Sequence, residues 1–226
     1  MTCKVNADTT NGLKLESDTS GAIDLQSNGT TRVSMDAAGN LTATSFVGDG
    51  SSLTGTGNFV RLAGETLASN ASSIEISAST LTTSYTNYEL YANLKPVTDG
   101  GIVFLRLRDN TATLLNTVAD YSIKANRGGG TTFDDTTVSA LTLISGTGNA
   151  SGENEFIKYT IGDIRTSDRR CCILYSSTGT TTAGSIHAGY GVFITNVAED
   201  NQGIQLTFSS GDIASGSSYV LYGVKG

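Results

Sequence analysis

The only histidine of the chain, His187, sits in Ser185-Ile186-His187-Ala188-Gly189, and a single imidazole narrows the chemistry open to these 226 residues. Acid–base catalysis near neutral pH most often recruits histidine, and a zinc site of His and Cys spacing cannot be assembled from one His within one chain. Three copies of His187 on a threefold axis could hold a metal; the ordinary expectation is a strand-end histidine, exposed or bonded to backbone. Carboxylates offer another route. Asp134-Asp135, Glu153 with Glu155, and Glu199-Asp200 are candidate acid and nucleophile pairs for glycoside cleavage, which needs two carboxyls about 5–10 Å apart. All fall in expected loops or strand ends, where acids are solvated. Such loops could bind calcium instead, although no Asp-x-Asp-x-Asp-Gly pattern is present. No nucleophile elbow, phosphate loop or dinucleotide fingerprint stands in strand-turn-helix context, and Gly146-Thr147-Gly148 lacks a following helix. The residues predict no enzyme and no cofactor.

Groups suited to recognition are more promising. There are nine Tyr, seven Phe and no Trp, and most tyrosines fall in expected strands, where core or subunit interface is their default. Phe133 is the large apolar side chain of the Gly-rich stretch 128–137, read as a loop. With Arg127, Asp134 and Asp135 it forms the candidate receptor-contact loop. Cys171 and Cys172 are neighbours, so on a strand one faces inward and the other outward as small hydrophobes; three cysteines do not make a disulfide framework.

A net charge of −7 with pI near 4.6 disfavours nucleic acid, which needs clustered Lys and Arg. No apolar run approaches bilayer length and Met1-Thr2-Cys3-Lys4-Val5 is not a secretory segment, so no membrane insertion is expected and the chain is expected to stay in the cytoplasm where it is made.

The elements that must carry these groups are strands. Many Gly, Ser and Thr, one proline (Pro96) and β-branched alternation predict an all-β chain. Near the N-terminus four apolar pairs, Leu13/Leu15, Ile23/Leu25, Val33/Met35 and Leu41/Ala43, recur at intervals of about ten residues. Each i, i+2 pair marks one face of a short strand. Eight such side chains bury too little to offset the entropy of ordering the meander, so the segment must share its apolar face with identical neighbours. Residues 1–47 are read as an intertwined trimeric β shaft with Leu13, Leu15, Ile23, Leu25, Val33, Met35 and Leu41 as its core. Residues 48–58 form a Gly/Ser/Thr-rich hinge. Residues 59–226 form a head, with strands expected at 74–76, 88–91, 102–108, 138–144, 156–161, 171–175, 190–194, 204–208 and 219–224. A jelly-roll-like antiparallel β-sandwich is the economical arrangement. Its last strand, near the end of the sequence, makes it the expected distal module.

The run from Lys4 to Leu15, then Leu25-Gln26-Ser27-Asn28-Gly29-Thr30 and Phe46-Val47-Gly48-Asp49-Gly50-Ser51-Ser52-Leu53-Thr54-Gly55, resembles fibre-like virion proteins of tailed bacteriophages. Ser72-Ser73-Ile74-Glu75-Ile76-Ser77, Asn93-Leu94-Lys95-Pro96-Val97-Thr98-Asp99-Gly100 and Leu221-Tyr222-Gly223-Val224-Lys225 are similar to a head domain of aquatic phages. The resemblance spans most of the chain but rests on turn and strand residues. It implies a homotrimeric virion appendage, assembled in the bacterial host cytoplasm, whose N-terminus joins tail, baseplate or capsid proteins and whose head faces outward to a host surface, polysaccharide included. The same plan serves capsid head fibres and decoration proteins without a receptor role; a polysaccharide depolymerase using the loop carboxylates is the enzymatic alternative, and a lectin-like sandwich unrelated to phage would leave the shaft unexplained.

Overall fold

The run Val103-Phe104-Leu105-Arg106-Leu107-Arg108 begins apolar on both faces and ends alternating, which fits a pleated strand with Val103, Leu105 and Leu107 on its buried face. The computed structural model describes residues 23–43, 59–127, 131–142 and 146–225, and among them there are fifteen strands, all antiparallel, and no helix. The chain divides into two compact units, Met1–Leu53 and Thr54–Gly226.

The described part of the first unit is a three-stranded meander, β1 (Ile23–Ser27), β2 (Thr30–Met35) and β3 (Leu41–Ala43). Asn28 and Gly29 both take positive φ, 50° and 72°, as a two-residue hairpin turn with right-handed twist requires. The β2–β3 turn is organised by Asp36, whose carboxylate accepts hydrogen bonds from the Ala38 and Asn40 amides and from the Asn40 side chain. Register places Ile23, Met35 and Leu41 in one row and Leu25, Val33 and Ala43 in the next, on a common face. That face is not buried: Leu25 is 54%, Met35 40% and Leu41 53% exposed, with Ile23 and Val33 half-buried. Leu13 and Leu15 lie outside the described residues, as does the hinge at 48–58.

The second unit is a two-layer antiparallel structure. Its larger sheet runs β4 (Phe59–Thr66), β15 (Ser218–Val224), β6 (Asn87–Leu94), β11 (Glu155–Gly162), β12 (Cys172–Thr180), β13 (Ile186–Thr195), β8 (Tyr121–Arg127) and β9 (Thr131–Val138). The smaller runs β10 (Leu141–Thr142), β7 (Val103–Arg108), β14 (Gly203–Phe208) and β5 (Ile74–Ser77). Both contribute to one hydrophobic core: Leu105, Leu107, Ile204 and Leu206 from the smaller sheet join Leu90, Ile157, Tyr159 and Phe193 from the larger. Tyr121 ties the layers. Its hydroxyl accepts from the Leu107 amide (2.8 Å) and donates to the Leu115 carbonyl (3.1 Å), while its ring stacks on Phe193 at 4.5 Å.

Several expectations change here. The stretch 128–137 is not a loop throughout: from Thr131 it is β9, the edge strand of the larger sheet, paired with β8. Asp134-Asp135 and the adjoining glycine triplet are strand-poor and mask the strand-favouring threonines, and pairing with β8 overrides that weakness. Of the expected strand at 138–144, Val138 ends β9 and Leu141–Thr142 form β10, while residues 143 and 144 lie outside the described residues. β4 and β8 were not anticipated; β4 carries an irregular register opposite Leu221 and Tyr222 that hides its alternation.

Candidate functional site

The receptor-contact residues named from sequence gather on one hairpin. Arg127 ends β8 opposite Thr131, Phe133 stands opposite Ala125, and Asp135 opposite Ile123. Asp134 is exposed and its Oδ2 accepts from Lys124 Nζ at 3.1 Å. This pair is open to water on both sides, where such contacts contribute little.

The catalytic candidates are dispersed into local partnerships. Asp200 receives both arms of Arg165, at 2.6 and 3.1 Å, and Glu153 Oε2 accepts from the Ala150 amide. Glu155 departs most from expectation, because it is wholly buried rather than solvated. His187 is likewise neither free nor bonded to backbone through its ring: it lies inside β13 and its Nε2 is 2.6 Å from Glu155 Oε2. Register explains the meeting. Glu155 of β11 pairs with Gly179 of β12, which pairs with His187 of β13, so the two ionisable groups stand two strands apart, roughly 9.5 Å between backbones. A side chain at the middle position would block them. A Cβ on Gly179 would fall 2.0 Å from Glu155 Oε2 and 2.8 Å from the Asn154 carbonyl oxygen, and the bare glycine lets the pair close over it.

Thr147 Oγ1 donates to the same carboxylate oxygen at 3.3 Å, and Ser177 Oγ faces the carboxylate outside hydrogen-bond geometry. Glu155 Oε1, Tyr159 OH and His187 Nδ1 are buried without a partner among the described residues. Burial pushes the Glu155 carboxyl above its ordinary range, opposed chiefly by the His187 ring. The same burial, with Glu155 adding to it, drives the Tyr159 hydroxyl well above its usual value. With no exposed carboxylate atom the pair offers a substrate no approach; it is a polar tie across three strands. Cys171 is buried and Cys172 half-buried, both free thiols, and burial raises both, against thiolate chemistry. No three His, Cys, Asp or Glu side chains gather as metal ligands among the described residues, and no helix there is long and apolar enough to cross a membrane.

The site with access lies on the outward face of the larger sheet. Phe59 (β4), Tyr222 (β15), Tyr91 (β6) and Phe156 (β11) project from four adjacent strands. Phe59 and Tyr222 meet edge to face at 6.4 Å, and Tyr222 and Tyr91 at 6.2 Å. Two adjoining clefts, of about 370 and 440 Å³, share Tyr91 and Val220 in their linings and are together called the groove; Arg61, Glu65 and Asn93 line its polar end. Beside it on the same face Glu89 is buried, and its carboxylate lies 2.7 Å from Lys158 Nζ and accepts from Thr160 Oγ1 at 2.9 Å. Lys158 stands over the Tyr91 ring at 5.5 Å. Farther across the same face a second hollow is lined by Lys124, Leu174, Tyr190 and Val192. Sequence reasoning passed over the groove because its rings come from strands far apart in the chain, each reading locally as an ordinary half-buried tyrosine or phenylalanine. Compared with known proteins, the chain matches no family model, no curated protein and no solved structure.

Proposed function

We propose that the chain is a structural protein of a bacteriophage virion, a short trimeric fibre whose N-terminal unit is the shaft and whose β-sandwich is displayed outward for attachment to the host surface. The observation that carries this is the uncovered apolar face of the meander, with Leu25, Met35 and Leu41 open to water. An apolar sheet face has to be buried against another layer, none of the described residues supplies one to this face, and identical neighbours would supply it at no cost in new sequence. Non-sequential strand neighbours, β15 between β4 and β6 and β14 between β7 and β5, support treating the head as jelly-roll-like. The repetition of heads on a particle would multiply a weak single-head contact.

Light scattering on the purified chain at micromolar concentration tests the assembly: a trimer mass is expected and a monomer mass overturns it. Particles assembled without residues 59–226 test attachment. Adsorption to host cells is expected to fall, and unchanged adsorption removes the receptor role in favour of capsid decoration, which antibody labelling of particles would then locate.

A further inference from the structure

The two hollows on the outward face of the larger sheet differ in a way that selects a ligand. The hollow at Leu174, Tyr190 and Val192 is apolar with a single lysine at its rim. The groove across β4, β15, β6 and β11 mixes aromatic rings with hydrogen-bonding groups. Phe156 at one end and Phe59 at the other are 45% and 56% exposed, and the strands that carry them are three spacings apart, about 14 Å. Tyr91 and Tyr222 form the wall between them. Asn93, Arg61 and Glu65 stand at the polar end, and Arg61 is held there by a hydrogen bond from Nη2 to the Gly64 carbonyl (2.9 Å).

The charges are matched. One cation, Arg61, and one carboxylate, Glu65, line the groove, and beside it Lys158 is already paired with Glu89. The groove has no surplus cation to select an anion, and the whole chain carries −7, which repels acidic polymers. Flat rings that stack on apolar ring faces, with amide, guanidinium and carboxylate groups to meet hydroxyls, are the recognition chemistry of a sugar. The length suits several linked units.

We infer that this groove binds a neutral oligosaccharide, its sugar rings stacked on Phe156 and Phe59 and its hydroxyls hydrogen-bonded to Asn93, Arg61 and Glu65. The inference deepens the attachment reading and rests on it for the biological source of the sugar, while the binding chemistry stands on the groove alone.

The test uses the purified full-length chain and five soluble probes: amylose, dextran, mannan and galactan as neutral polymers, dextran sulfate as the anionic one. Retardation in gels containing each polymer gives affinity, and tyrosine emission, unobscured because there is no Trp, reports occupancy next to Tyr91 and Tyr222. Binding to at least one neutral polymer is expected, with Phe156→Ala weakening it about tenfold and Leu174→Ala leaving it unchanged. Phe156 and Leu174 are both exposed, so both variants are expected to fold; far-ultraviolet circular dichroism verifies this. For any variant that does not fold, Asn93→Ala, at another exposed position of the groove, takes the place of Phe156→Ala, and Lys124→Ala, at the rim of the other hollow, that of Leu174→Ala. Failure of all four neutral polymers, binding to dextran sulfate alone, equal loss in the groove and control variants, or a Phe156→Ala effect on oligomer mass with none on sugar retention would each overturn the inference. The two readings fail separately. A chain that adsorbs to host cells but ignores every neutral polymer loses only the groove, and one that binds a polymer but not cells loses only the attachment role.

Discussion

The two units use the same local device to opposite ends. Both are built from short strands with an apolar i, i+2 face and turns made of Gly, Asn and Asp. In Thr54–Gly226 that face meets a second sheet, and Leu90, Leu105, Leu107, Ile157 and Ile204 are fully buried. In the meander the corresponding row, Ile23, Met35 and Leu41, meets no second layer among the described residues. Alternation therefore specifies a face, and only a second layer turns a face into a core. What separates the two, among the described residues, is whether such a layer is present.

Cutting the chain at that boundary should produce the largest effect. Residues 54–226 alone are expected to unfold in one cooperative transition and to sediment as a monomer, while residues 1–53 alone, at micromolar dilution, are expected to show no protected amides in hydrogen exchange. Cooperative folding of the short piece as a monomer would break the comparison outright. Single truncations sharpen it. Leu105→Ala, in the centre of β7, should cost about 2–5 kcal/mol in denaturant unfolding. Leu41→Ala, already half exposed, should leave that transition unmoved and instead lower the oligomer mass measured by sedimentation.

The contrast also separates what could be read in the chain from what could not. β7 and β14 alternate so cleanly that their positions and buried faces follow from Leu105, Leu107, Ile204 and Leu206 alone, and Asn28-Gly29 marks its hairpin by type. β8 is equally regular, with Tyr121, Ile123 and Ala125 inward and Ser122, Lys124 and Asn126 between them, yet it is absent from the strands expected from sequence. β9 is hidden for a better reason: Asp134-Asp135 and the preceding glycines read as turn residues, and pairing with β8 overrides them. The Glu155–His187 contact was invisible because the two residues are distant in sequence and joined through the register of three strands, with Gly179 as the enabling absence of a side chain. Nor does local composition reveal that the groove's aromatic rings come from adjacent strands.

A smaller effect is expected at that contact. His187→Ala leaves the buried Glu155 carboxylate without its nearest partner and should cost about 1–3 kcal/mol. The pH dependence has a definite sign. Burial raises the Glu155 pKa above its ordinary value near 4.5, so the folded state binds this proton more tightly than the unfolded one. Its contribution favours the fold fully below the ordinary carboxylate range and fades as pH rises through the raised value. Thermal unfolding across that window should show this slope in the native chain and lose it in Glu155→Gln. In His187→Ala the slope should move to higher pH, because the imidazole that held the carboxyl down is gone.

The smallest effect belongs to the meander's own turn and tests whether local bonds alone sustain it. Hydrogen bonds from the Asn40 side chain and amide, then from Ala38 and Gly39, hold the Asp36 carboxyl below its ordinary value. A lowered pKa stabilises above the ordinary carboxylate range and loses that contribution as pH falls through the folded value. Protection of the Ala38 and Asn40 amides, measured against their free-peptide exchange rates, should therefore fall on acidification below that range, and Asp36→Ala should show the lower protection at every pH. Because this turn is exposed, the unfolding transition of residues 54–226 should stay in place throughout. A matching shift there would mean that the two units depend on one another for stability, and the contrast between a face and a core would no longer divide the molecule where the chain does.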